Sequence, residues 1–170
     1  MKMNNIIKSL GKIPVKVPLN LQFHEEIDCG EYIRHTVSYA VEENETIKSY
    51  LLIPKNICGK VPAIVAAHQH AGQYHLGKCE PVGIDGDSMY FYGHELAITG
   101  YVVICPDHLG FEERKIAVTD GGLNERELFC KAICNGSTLQ AKYVSDLSAA
   151  TDVLCELDFV DKNRLDLAEI

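Results

Sequence analysis

The residues able to do chemistry lie in two stretches, each directly behind a short apolar run. His68-Gln69-His70-Ala71-Gly72 follows residues 62–67 (PAIVAA), and Asp107, with Glu112, Glu113 and Arg114 beyond it, follows residues 101–105 (YVVIC). A His-x-His pair behind a strand can present two imidazoles to zinc, and His75 and Cys79 stand near enough to add ligands. His68 also has a structural reading, a ring hydrogen-bonded in place at a strand end. Asp107 can satisfy loop N–H groups, and Glu112, Glu113 and Arg114 can form an exposed ion cluster worth little by itself. Of these, Arg114 and Glu112 are the candidates to face a substrate. Cys79 is a candidate free thiol without a paired base, and Cys130 and Cys134, four apart, could share a metal from one helix face.

The elements that must position these residues follow from the pattern. Residues 32–41 and 46–53 are β-rich runs separated by Glu42, Glu43, Asn44 and Glu45, which predicts an antiparallel hairpin ending at Pro54. The two apolar runs are short and continuous, as strands buried on both faces are. Between them a helix is expected over about 88–99, capped by Asp87 or Ser88 and stopped by Gly100. A second helix is expected over 138–157 behind Ser137 as its N-cap, with Leu139, Tyr143, Leu147, Ala150, Leu154 and Leu157 on one stripe. The result is an α/β fold: a mixed, mainly parallel sheet with an N-terminal antiparallel hairpin and helices on both faces. Residues 1–30 read as an irregular leader and 31–170 as one unit. Two long loops, 69–86 and 107–136, leave the ends of the apolar strands, where open α/β sheets bind ligands.

Composition bounds the partners. A net charge of −8 argues against a nucleic-acid backbone, and no segment approaches the roughly 18 apolar residues of a membrane span. The odd count of seven cysteines, without a CxxC pair, fits reduced thiols and a cytoplasmic protein.

The turn at 68–72 resembles the His-Gly-x-Gly turn that closes the third strand of α/β-hydrolases, with Gln69 where a glycine is usual. Gly77-Lys78-Cys79-Glu80-Pro81-Val82-Gly83 follows it. The stretch from Gly100 to Asp107, running on into Gly110-Phe111-Glu112-Glu113-Arg114, resembles the fourth strand and its exit loop in dienelactone-hydrolase-like and acetyl-xylan-esterase-like members. The resemblance covers residues 32–165. It implies carboxylic-ester hydrolysis by a serine nucleophile, a small-molecule ester substrate, no cofactor and no metal. It also implies that the backbone N–H groups of Gln69 and His70 face the oxyanion of the tetrahedral intermediate.

The family's nucleophile sits in Gly-x-Ser-x-Gly after the fifth strand, and no such motif occurs here. Residues 158–165 (DFVDKNRL) look like the lead-in to that strand, where a glycine and an apolar run would follow. The expectation is a domain truncated before its nucleophile by a frameshift, a premature stop or a split gene. Such a chain would be inactive alone and sticky along an uncovered sheet edge. The alternatives are a metal-dependent hydrolase using His68 and His70, although no Asp-His pair follows them, and a non-catalytic fragment or binding module.

Overall fold

A computed structural model describes residues 3–116 and 120–169. Six strands form one mixed sheet: β1 (Gln22–Asp28), β2 (Tyr32–Glu42), β3 (Glu45–Pro54), β4 (Val61–Ala67), β5 (Val102–Pro106) and β6 (Val160–Glu169), in the order β1-β2-β3-β5-β4-β6. β1, β2, β3 and β5 pair antiparallel in turn, whereas β5 and β6 flank β4 in parallel. The helices are α1 (Met3–Ser9), α2 (Tyr92–Ile98), α3 (Gly121–Cys134) and α4 (Leu139–Glu156).

The apolar runs form central strands because consecutive side chains alternate between two cores. Ala63 and Val65 of β4, with Val102 and Ile104 of β5, join Ala150, Val153 and Leu154 of α4 on one face. Ile64 and Ala66, with Val103 and Cys105, join Ala97 of α2 and Val82 on the other. Both faces are therefore dry, and the runs carry no polar alternation. The expected hairpin is present with Glu42 opposite Glu45, and the mixed sheet with helices on both faces is as expected.

Several local expectations need correction. The leader is not irregular: it contains α1 and β1. All seven residues of β1 are exposed, so backbone pairing with β2 holds it and no apolar pattern marks it. The helix expected over 88–99 opens as a 3-10 turn at Ser88–Tyr90, capped by Asp87, before α2 begins. The N-cap of α4 is Thr138, whose hydroxyl accepts from the Ala141 N–H, while the Ser137 hydroxyl donates to the Lys12 carbonyl. The loop expected over 107–136 contains a 3-10 turn at Glu112–Arg114 and then α3, with residues 117–119 outside the described part. Asp166, Leu167, Ala168 and Glu169 continue β6 beside β4 in place of the expected glycine and apolar run.

Candidate active site

β4, β5 and β6 run in one direction, so their carboxyl ends lie side by side, with Ala67 opposite Glu169. The Tyr92 hydroxyl of α2 ties two of these ends together, donating to the Ala67 carbonyl at 2.5 Å and the Ala168 carbonyl at 3.1 Å.

The turn after β4 begins with His68, which is buried. Its Nε2 accepts the His108 N–H at 3.0 Å, so the proton sits on Nδ1, which donates to the Gln69 carbonyl at 2.9 Å. Phe111 and His108 pack on the ring at 4.7 and 4.6 Å. Burial pushes its pKa down to about 4. With both nitrogens engaged and the ring held neutral, His68 has the structural role and offers no lone pair to a metal.

Gln69 and His70 come next, and among the described residues neither backbone N–H has a protein acceptor. Ala71 and Gly72 take left-handed φ values of 38° and 69°, which favours small residues here. The Gln69 side chain does not cover the turn, because its Nε2 donates to buried Glu80 at 2.9 Å. The other Glu80 oxygen accepts the Asp87 N–H, and a Cβ on Gly86 would come within 2.5 Å of it. Beside the turn lies an open cleft of about 750 Å³ bordered by Gln69, Ala71, Gln73, Asp87, Ser88 and Tyr90.

His70 is clamped from α3. Its Nε2 and the Tyr74 hydroxyl both reach Glu125, each at 2.7 Å, and the Gly72 N–H approaches His70 Nδ1 at 3.3 Å. The bond to Glu125 is the main cause that raises the Tyr74 phenol to about 12. Tyr74 fits only because residue 121 is glycine: a Cβ there would lie 2.2 Å from its ring.

The second stretch of candidates forms a buried ionic cluster that holds the loops. The Lys78 ammonium lies 2.5–2.6 Å from carboxylate oxygens of Asp107, Glu112 and Glu113, and 5.4 Å from the Tyr50 ring centroid. Asp107 also accepts the Lys78 N–H, and Glu112 accepts the N–H groups of Gly77 and Cys79. One lysine among three carboxylates leaves the cluster short of positive charge. Burial, against the pull of Lys78, pushes Asp107 up to about 7. These three carboxylates are the one group among the described residues spaced to hold a metal, and the ammonium stands among them.

Arg114 donates to the Asp107 carbonyl and pairs with Glu45 and Asp146. Glu112 and Arg114 are thus committed to protein partners rather than turned to a ligand. The Cys79 thiol is pushed up to about 12, first by burial and then by its bond to Glu112, which disfavours the thiolate. Cys130 and Cys134 are both exposed on α3.

Sequence reasoning passed over Glu80, Glu125, His108 and Lys78. Lys78 and Glu80 lie inside a quoted motif, whereas Glu125 stands on a helix that reasoning left as loop.

No protein-family model matches the sequence. Over 161 residues the chain is 27% identical to YtaP of Bacillus subtilis (strain 168), provisionally described as a hydrolase, covering 94% of this chain and 52% of that protein. A structure from Bacteroides fragilis NCTC 9343, provisionally described as an acetyl xylan esterase, superposes with a TM-score of 0.81 at 13% identity over 98% of this chain and 45% of its own. Acetyl xylan esterase 1 from Thermoanaerobacterium sp. JW/SL YS485 gives 0.64 at 15% identity over 99% and 55%. The chain spans about half the length of the relatives it matches. Among the described residues no helix is long and apolar enough to cross a membrane. By its strand order and these superpositions, the chain shares the α/β-hydrolase-like fold of these structures over about half of their length.

Proposed function

We propose that this chain is the part of a serine-dependent carboxylic-ester hydrolase that precedes the nucleophile, and that it supplies one half of the oxyanion site. The observation that carries this reading is the turn behind β4, where the N–H groups of Gln69 and His70 have no protein acceptor among the described residues and where Gln69 and Ala71 border an open cleft at the carboxyl end of the sheet. Parking the Gln69 side chain on Glu80 answers the objection that a large residue stands where the family has glycine. No Gly-x-Ser-x-Gly occurs in the 170 residues, so the nucleophile and the second oxyanion donor come from elsewhere.

The substrate is a small neutral ester. Acetylated sugars are the favoured class, given the names of the structural relatives and the amide and hydroxyl groups of Gln69, Gln73, Ser88 and Tyr90 around the cleft. The seven free cysteines favour the cytoplasm. β6 at the sheet edge, with Leu167 exposed, favours self-association of the isolated chain.

The test is a hybrid in which this chain replaces the matched part of YtaP. Turnover of p-nitrophenyl acetate is expected from the hybrid and not from the 170-residue chain. A folded hybrid without turnover, beside an active YtaP, would overturn the reading.

A further inference from the structure

Away from the cleft, the leader crosses the junction of α3 and α4 as a built strap. Gly11 bridges to Ser137, the Lys12 N–H donates to the Gly136 carbonyl at 2.9 Å, and the Ser137 and Thr138 hydroxyls donate to the Lys12 and Leu10 carbonyls at 2.6 and 3.0 Å. Gly11, at a φ of 76°, permits the close crossing, since a Cβ on it would meet the Gly136 carbonyl oxygen at 2.5 Å.

Between strap and helices lies a groove of about 440 Å³, within the size range of small-ligand sites. Leu109, Leu128 and Leu139 form its apolar floor, and Ile13 and Val15 on the strap are 40% and 81% exposed. Its rim is cationic on a protein whose net charge is −8. Lys142 is discounted, because it pairs with Glu42, Glu45 and Asp146, the last two of which also pair with Arg114. Lys12 and Lys131 remain, and neither has a carboxylate partner among the described residues.

We propose that this groove is a second ligand site, separate from the cleft, that takes an amphipathic anion: a medium-chain carboxylate whose tail lies on the leucine floor and whose head meets Lys12 and Lys131. An apolar floor favours the chain by burial, and the two lysines in the lining favour a charged head over an alcohol. The snug crossing of the strap at Gly11 keeps the wall in place before any ligand arrives.

The experiment is a titration of the 170-residue chain with sodium octanoate, followed by backbone amide NMR shifts, with 1-octanol as the uncharged comparison. Saturable shifts are expected at Lys12, Ile13 and Val15 and at residues 132–139, with octanoate binding tighter than octanol. Lys131→Glu, on an exposed helical position, is expected to weaken octanoate about fivefold and leave octanol unchanged. Val15→Asp should weaken both, with an otherwise unaltered spectrum.

Four outcomes would overturn the proposal, three of them read from the ligand titration. These are no saturable shift by about 10 mM octanoate, shifts confined to residues 69–91 of the cleft, or equal octanoate binding by Lys131→Glu. Shifts at residues 12–15 that depend on protein concentration without ligand would also overturn it, because a second copy would then cover the groove.

Discussion

His68 Nε2 accepts the backbone N–H of His108, and this one bond joins the residue after β4 to a residue just beyond β5. The bond exists only while the imidazole is neutral at Nε2, so it links sheet geometry to pH. Because burial lowers the folded pKa to about 4, the unfolded chain takes up the proton first as pH falls below 6.5. The stability that His68 contributes is therefore complete above pH 6.5 and is lost between 6.5 and about 4, on the order of 3 kcal/mol. Urea unfolding of wild type and His68→Gln across this window should show the gap closing as pH falls. A constant gap would exclude a ring held neutral by burial, and titrating groups that do not contact His68 cancel because both proteins share them.

Replacing Lys78 by Met removes the cation from among Asp107, Glu112 and Glu113 while roughly keeping its apolar stem. Breaking a buried pair by deleting one partner costs about 3–5 kcal/mol. The carboxylates left behind can escape the cost by protonation, so the loss should be larger at pH 7 than at pH 4. Chemical denaturation at both values checks this, and an equal loss at both would mean that the lysine acts through packing alone.

Gly121→Ala should cost about 1–3 kcal/mol by overpacking, although alanine is the better helix former. The new Cβ would lie 2.2 Å from the Tyr74 ring and press on the phenol that holds Glu125. Gly122→Ala is the control, because its nearest contact is an Asp120 side-chain oxygen at 3.2 Å. If the two alanines cost the same, the seating of Tyr74 against α3 is wrong.

In the hybrid with YtaP, Gln69→Pro and His70→Pro each delete one backbone N–H. Whichever residue donates to the oxyanion should lower kcat by about 100- to 1,000-fold with little change in KM. Loss of neither kcat would remove this turn from the catalytic site. For the 170-residue chain alone, p-nitrophenyl acetate should give no turnover in either the wild type or Cys79→Ala. Equal, multiple turnovers in both would reveal a nucleophile elsewhere.

What was legible in the sequence is what hydrophobic burial writes there. The runs PAIVAA and YVVIC alternate between two cores and look like buried strands in the sequence, and the α4 stripe follows from its leucines. β1 was illegible because its exposed residues carry no burial pattern, and its reason for existing is the ladder to β2. α3 was hidden for a related cause: of its fourteen residues only Asn124 and Leu128 are buried. The turn 68–72 stands out in the sequence through its resemblance to a His-Gly-x-Gly turn, and the partners that shape it do not. Glu80 and Glu125 act across 11 and 55 residues of chain, and exposed-looking acids carry no mark of what they will meet. The protein partners of Arg114 and Glu112 were hidden for the same reason, since charge in a loop looks alike whether it meets solvent or a buried partner.

Tyr92 has a single hydroxyl proton and two carbonyls to give it to, at 2.5 and 3.1 Å. The phenol is in effect a balance arm between β4 and β6: a small displacement of either strand tilts the proton toward one oxygen and away from the other. Carbon-13 labels on the Ala67 and Ala168 carbonyls would therefore turn the sheet's ligand-facing end into a vibrational strain gauge. Its two amide bands should move in opposite directions when anything wedges the strands apart, and a phenylalanine at position 92 should silence it.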